Sequence, residues 1–300
     1  MGAGCADTGG PEALEAYMAD RCTPATARLV RSTAVAGLAM ATARALISAG
    51  RVEGPELVRS YLVWFRGDGG VIGQSTWLAL RRLQRGVPWT EAGDTGRFAA
   101  GAAPAARIAP VGLLHTFHET GLKEDVHTCG MITHRNEEAL AGALAVAHAV
   151  ARGAKGVLHP TQLCLELQSL LPSGRCRDAL YRARATWEAA VPVTTALRGL
   201  GQGGAVFEAV GAALYCCLSG EWDPERVILM AALGGGDAGT RAAIAGAIVG
   251  AVAGKKALPA GWVAQLWEAP LVEDTAGQLL TLALAGGGQA EWLSSVGTPA

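Results

Sequence analysis

Residues 233–254 read LGGGDAGTRAAIAGAIVGAVAG. Three glycines lead to one aspartate, Asp237, and small residues then run on to Gly254. Aspartate is a preferred helix N-cap, because its carboxylate accepts a backbone N–H that the first turn leaves unpaired. The stretch predicts a buried helix opened by Asp237, with Thr240 at its third position. Capping is worth about 1 kcal/mol and is one reading of the aspartate. Contact with an ion or ligand is the other. Gly246, Gly250 and Gly254 recur every four residues and predict a close approach of two buried helices. The apolar run Ala242–Gly254 is too short to cross a membrane, which takes about 18 residues or more.

Outward from this stretch, helical periodicity dominates. Helices are expected at 11–22, 32–49, 54–65, 74–86, 136–153, 160–171, 177–200, 203–220 and 223–236, with tail helices near 259–267 and 275–284. Ser32 or Thr33 caps the second of these, and Gly50 ends it. Residues 87–110, rich in Gly, Ala and Pro, read as a long loop with short turns, of the kind that often carries function. No run of alternating β-branched residues predicts a strand. The expected architecture is a single compact all-α bundle of more than ten helices.

Half of the residues are hydrophobic and only 5% are aromatic, so the core should be filled by Ala, Leu and Val. A net charge of −1 points to neither nucleic acid nor an anionic membrane as the main partner. Arg81, Arg82 and Arg85 read as one exposed helix face. The seven cysteines show no C-x-x-C pair or zinc spacing, which predicts reduced, mostly buried thiols and a cytoplasmic compartment. The N-terminus lacks an apolar signal core, and Ala6 argues against myristoylation of the Met-Gly start.

Residues 206–262 resemble the ADP-ribosylglycohydrolase family, which includes the dinitrogenase-reductase-activating glycohydrolase and the jellyfish J1 crystallins. The family's G-G-D-T-D-T turn, A-A-I-A-G-A helix and Pro…Trp exit are matched by Gly235-Gly236-Asp237-Ala238-Gly239-Thr240, Ala243–Ala247, Pro259 and Trp262. RSYLVWF and GQSTWLALRRLQRG resemble its second and third helices. ARIAPVGLL, 106–114, resembles its M-R-I-A-P-L-G-L segment and places Arg107. THRNEEALAGALAVAHAV resembles its threonine-histidine helix start and places His134. The resemblance covers roughly 30–285. It divides the chain into a divergent N-terminal segment, 1–30, and an ADP-ribosylglycohydrolase-like domain, 31–300.

This resemblance implies an all-α fold that hydrolyses an ADP-ribosyl glycosidic bond with two divalent metals, usually magnesium or manganese. Two hard cations need several carboxylate oxygens. The family takes them from a T-D-D-T turn and from both aspartates of G-G-D-T-D-T. Here the first turn aligns with Thr33-Ala34-Val35-Ala36, and Gly239 replaces the second aspartate of the other. The usual Asn-Gly is Ala102-Ala103, D-I-G reads Val71-Ile72-Gly73, and the N-terminal G-D-A-L-G has no counterpart.

The resemblance therefore leaves Asp237, Thr240 and Thr33 as residual metal ligands, for one weak Mg²⁺ or none. It leaves His134, Arg107 and Gly236 as ligand-binding candidates. The candidate ligand is ADP-ribose or an ADP-ribosylated protein, and a protein partner or self-assembly stays open. The first reading is a hydrolase-like protein without catalysis. The alternatives are an active hydrolase whose rebuilt site recruits Asp68, Asp94 or Glu119, and a purely structural protein. Glu124 is a further acid near the loops. His115, His118 and His127 lack ligand spacing for zinc, and His148 reads as a core residue. Ser75 and Ser219 have no base at motif spacing, and G-x-S-x-G is absent. Rossmann spacing is absent too, although GGGDAG could cradle a phosphate at a helix N-terminus.

Overall fold

The computed structural model describes residues 11–18, 33–67, 70–96, 99–156 and 159–285. Cys5, Cys22, Ser32 and Asp68 lie outside the described residues. Helix α1 (Pro11–Met18) is followed by α2 (Ala34–Ala49), α3 (Gly54–Arg66) and α4 (Gln74–Gln84). Thr33 Oγ1 accepts the Ala36 N–H at 3.4 Å, and Gly50, at φ +73, donates its N–H to Leu46. Both ends of α2 thus carry the expected caps.

Residues 87–110 differ from the expected loop. They hold the short α5 (Trp89–Ala92) and α6 (Ala103–Arg107), then enter α7 (Ala109–Leu114). Ala99, Ala102, Ala105, Ala106, Arg107 and Ile108 are all buried there. A run of alanines without charge can enter a core once short helical turns pair its backbone. Helix α8 (Leu122–Met131), which the apolar pattern did not announce, precedes the long α9 (Glu137–Ala154).

α9 is the hub. Asn136 caps it by accepting from Glu138 N–H at 3.0 Å and Ala139 N–H at 3.2 Å. It is buried around most of its circumference and packs on α6, α7, α8, α13 (Val206–Ser219) and α15 (Ala238–Ala253). Between them run α10 (Pro160–Leu170), α11 (Arg175–Glu188), α12 (Val193–Leu200) and α14 (Pro224–Leu233), and α16 (Ala260–Gln265) and α17 (Ala269–Ala283) follow. The long segment at 177–200 holds two helices, broken near Pro192, which has no N–H to continue the first. α1, in the segment expected to diverge, packs on α14 and α12.

Glycines do bring the central helices together, but of the four-residue repeat only Gly246 faces a neighbour, where a Cβ would make an ordinary contact with Ile228 at 3.6 Å. A Cβ on Gly112 would lie 2.5 Å from Ala147 O, one on Gly142 2.2 Å from Val206 Cγ2, and one on Gly153 2.8 Å from Val252 Cγ2. At Gly250 and Gly254 a Cβ would meet nothing within 4 Å. The repeat lies toward the partly exposed side of α15, so only sequence on the facing helix could have told the two apart.

Among the described residues there is no strand; Asp94–His134 and Gly101–Ala205 form two isolated β-bridges. Among the described residues no helix is long and apolar enough to cross a membrane. Cys129, Cys164, Cys176, Cys216 and Cys217 are free and buried, and burial pushes the Cys216 thiol up to about 12. Arg81 and Arg85 are exposed as expected, whereas Arg82 turns inward to the Ala92 carbonyl at 3.2 Å.

Candidate functional site

The glycine turn between α14 and α15 is built by left-handed backbone. Gly235 has φ +77 and Gly236 φ +64, a region that residues with a Cβ rarely enter. A Cβ on Gly236 would also lie 2.1 Å from the Gln202 carbonyl oxygen. Arg241, 2% exposed, reaches back from α15 and donates to Ala231 O at 2.9 Å and Gly235 O at 2.8 Å. Its guanidinium thereby serves carbonyls that the end of α14 leaves unpaired. Burial lowers its pKa, while Cys216 and Asp237 oppose that shift.

Asp237 occupies the N-cap position of α15, yet its side chain makes no capping hydrogen bond. The physical reason is its backbone. With ψ at 59° it departs from the extended conformation that aims an N-cap side chain at the first turn. Capping alone therefore does not account for this aspartate. Its carboxylate is half-buried, and Oδ2 lies 3.2 Å from where a Cβ on Gly204 would stand. Thr240 is half-buried one turn into the helix, and Gly236 is exposed.

Among the described residues no group of three or more His, Cys, Asp or Glu side chains is arranged to hold a metal ion. Asp237, Thr240 and Thr33 offer one carboxylate and two hydroxyls. Ala34, Val35 and Ala36 have no oxygen in their side chains. These residues do not fit a pair of divalent ions.

The other candidates form a buried polar node beneath α9. Arg107 is fully buried, with its guanidinium 5.3 Å from the centre of the Tyr61 ring. Nε donates to Tyr61 OH at 3.1 Å, and Nη2 donates to Cys129 O at 3.1 Å and Thr133 Oγ1 at 2.7 Å. Tyr61 OH also meets Thr42 Oγ1 at 2.9 Å. Thr133 Oγ1 lies 2.8 Å from His134 Nδ1. Arg107 can only donate, so Thr133 Oγ1 accepts from it and keeps its own proton available for Nδ1. Burial, reinforced by the Arg107 charge and opposed by Asp94, lowers the His134 pKa to about 3. His134 is thus neutral at pH 7.

Asp94 ties this node to the 92–96 turn. Its N–H donates to Thr133 O and its carbonyl accepts from Arg135 N–H, both at 2.9 Å. Its carboxylate accepts from Ser75 Oγ at 2.6 Å and Gly96 N–H at 2.9 Å. The Ser75 bond, with the Gly96 amide and the nearby Arg82, holds this carboxyl below the usual range despite burial. Ser75, for which the sequence offered no partner, finds one here. The G-D-T-G pattern at 93–96 was the available signal, since Asp commonly bonds the amide two residues on.

The remaining candidates lie in separate clusters. Glu119 faces Arg152 at 3.7 Å, and Glu124 is in the first turn of α8. His115 joins Asp125 at 2.8 Å and the His118 carbonyl at 2.7 Å, and His148 pairs with Glu166 at 3.0 Å. A groove of ≈ 570 Å³ lies among α1, α13 and the α11–α12 connection, and one of ≈ 300 Å³ between α2 and α3. Neither is lined by Asp237, Asp94, Arg107 or His134.

Comparison with known proteins bears on this geometry directly. Residues 21–288 match the ADP-ribosylglycohydrolase family. An uncharacterised protein of Archaeoglobus fulgidus is 30% identical over 214 residues, 70% of this chain and 67% of its own. The uncharacterised Escherichia coli protein YegU is 28% identical over 249 residues, 76% of this chain and 73% of its own. A solved structure described as an ADP-ribosylglycohydrolase-related protein complex shares the fold, with a TM-score of 0.68 at 24% identity over 84% of this chain and 81% of its own. The chain belongs to the ADP-ribosylglycohydrolase family.

Proposed function

We propose that this member of the ADP-ribosylglycohydrolase family no longer runs two-metal hydrolysis. It would act without catalysis, through a cleft for ADP-ribose-like ligands or through its outer surface. The carboxylate count at the two metal turns carries this reading. Asp237 alone remains of the four acids the family resemblance implies. Two doubly charged ions about 4 Å apart repel by about 4 kcal/mol even in bulk water, and several-fold more in a protein site. One carboxylate and two hydroxyls do not offset that.

The half-buried Asp237 carboxylate, without a capping bond, supports a narrower residual role. With Thr240 and Thr33 it would hold one weak Mg²⁺ or touch a ligand directly. Of the residues the resemblance implies for ligand binding, Gly236 is exposed, while Arg107 and His134 would act by fixing the cleft wall. The reading of a rebuilt active site finds less support. The Asp94 carboxylate already bonds Ser75 and Gly96, and Glu119 faces Arg152.

The test is release of ADP-ribose from proteins modified on arginine or serine, with Mg²⁺ or Mn²⁺ present. No release from either linkage is expected. Metal-dependent release that disappears in Asp237→Ala would overturn the proposal.

A further inference from the structure

Although Gly236 is exposed, the Asp237 amide of the glycine turn is not free. The segment Gly201–Gly204 lies across it and is fastened at four points. Gln202 Nε2 donates to Gly234 O at 2.7 Å, and Asp237 N–H donates to Gln202 O at 2.8 Å. Gly203 N–H donates to the Glu208 carboxylate at 2.6 Å, and Ala102 N–H donates to Gly204 O at 3.1 Å.

The Asp237 amide stands at the mouth of α15, where an open helix would turn its N–H groups toward water or a ligand oxygen. Here the chain's own carbonyl takes that amide. The next one, Ala238 N–H, is turned to Gly236 O at 2.8 Å. Gly236 is shaped for this closure, since any Cβ there would collide with the Gln202 carbonyl. Gly201, at φ +112, lets the chain leave α12 in the required direction.

The same segment is suited to lift. Three of its four residues are glycine, and Gly203 and Gly204 are exposed. The Gly203–Glu208 bond is exposed and the Gln202–Gly234 bond only part-buried, and segments held by hydrogen bonds that solvent can reach rather than by apolar packing open at low free energy.

We infer that Gly201–Gly204 is a strap that closes the glycine turn, and that Gln202 is the peg that holds it shut. A ligand reaches the Asp237 amide only when the strap lifts. What that ligand is rests on the function proposed above; the strap itself is tested without it.

Hydrogen exchange is measured on the full chain and on Gln202→Ala and Glu208→Gln. The Asp237 amide is expected to exchange about ten-fold faster in Gln202→Ala, the effect of losing one supporting hydrogen bond, and faster in Glu208→Gln too. Ala245, in the middle of α15, should be unchanged in both. Unchanged exchange at Asp237 in both variants overturns the strap. So does equal acceleration at Ala245, which would make the segment an ordinary part of the fold. ADP-ribose titration then separates the two claims. Tighter binding by Gln202→Ala than by the parent supports both. Faster exchange at Asp237 with no ADP-ribose binding by either protein leaves the strap standing and overturns only the ligand.

Discussion

The start of α15 and the start of α9 are built from similar parts and arranged in opposite ways. Each places a short polar side chain at a helix mouth. Asn136 accepts two amides of α9, and the neighbouring His134, Thr133, Arg107 and Asp94 are bonded to one another in a buried node. Asp237 accepts none, and the backbone around it is held by Gln202 and Arg241. At α9 the side chains are part of the fold. At α15 the backbone is fastened by hydrogen bonds, and the carboxylate takes part only through its charge beside the buried Arg241. The shape of the α15 turn is held by its left-handed glycines and its buried arginine through packing and backbone hydrogen bonds.

The sharpest expected difference is in stability. Arg107→Ala should cost about 3–5 kcal/mol, by leaving a cavity and several buried groups unpaired. Asp237→Ala should stay within about 0.5 kcal/mol. Urea unfolding of the two variants checks this, and equal costs would erase the distinction between the two helix starts.

Acid should find the node next. His134 is buried and neutral with a pKa near 3, against an ordinary 6.5. Below pH 6.5 the unfolded chain binds the proton more readily, so stability falls as pH drops toward 3, by up to about 1.4 kcal/mol per unit. Above pH 6.5 this contribution is fully present. His134→Gln should flatten that part of the pH–stability curve, and an unchanged slope would mean that the ring reaches solvent.

Crowding at α9 gives a smaller effect. A methyl on Gly142 would press on Val206, so Gly142→Ala should destabilise by about 1–3 kcal/mol, whereas Gly250→Ala, with nothing within 4 Å, should be neutral or slightly stabilising. Thermal melts of the pair decide it. Smallest is the capping difference itself. Asn136→Ala should cost about 1 kcal/mol and Asp237→Ala less, a gap readable by denaturant titration.

Much of the fold was legible because long Ala- and Leu-rich segments have an unambiguous period, as at α2, α9, α13 and α15. The 87–110 segment was misread because Gly, Ala and Pro in short runs look alike in a loop and in tight buried turns. Only the packing around Ala102–Ile108 separates them. The glycine turn ahead of α15 and the Thr33 cap of α2 could be placed from the sequence. The Asp94–Ser75 bond could not, since the turn pattern at 93–96 points to the Gly96 amide and nothing in the spacing pairs Asp94 with a serine 19 residues earlier. Gln202 was invisible for the same reason, as a lone glutamine among glycines announces no partner for its side chain.

The most direct measurement is a count of bound metal. The full chain, dialysed against Mn²⁺ and passed through a desalting column, would be assayed for metal and examined by electron paramagnetic resonance. The carboxylate count at the two turns predicts no retained pair of ions, and at most one weak site that Asp237→Ala removes. Two Mn²⁺ held tightly per chain, with the spectrum of a coupled pair, would contradict it.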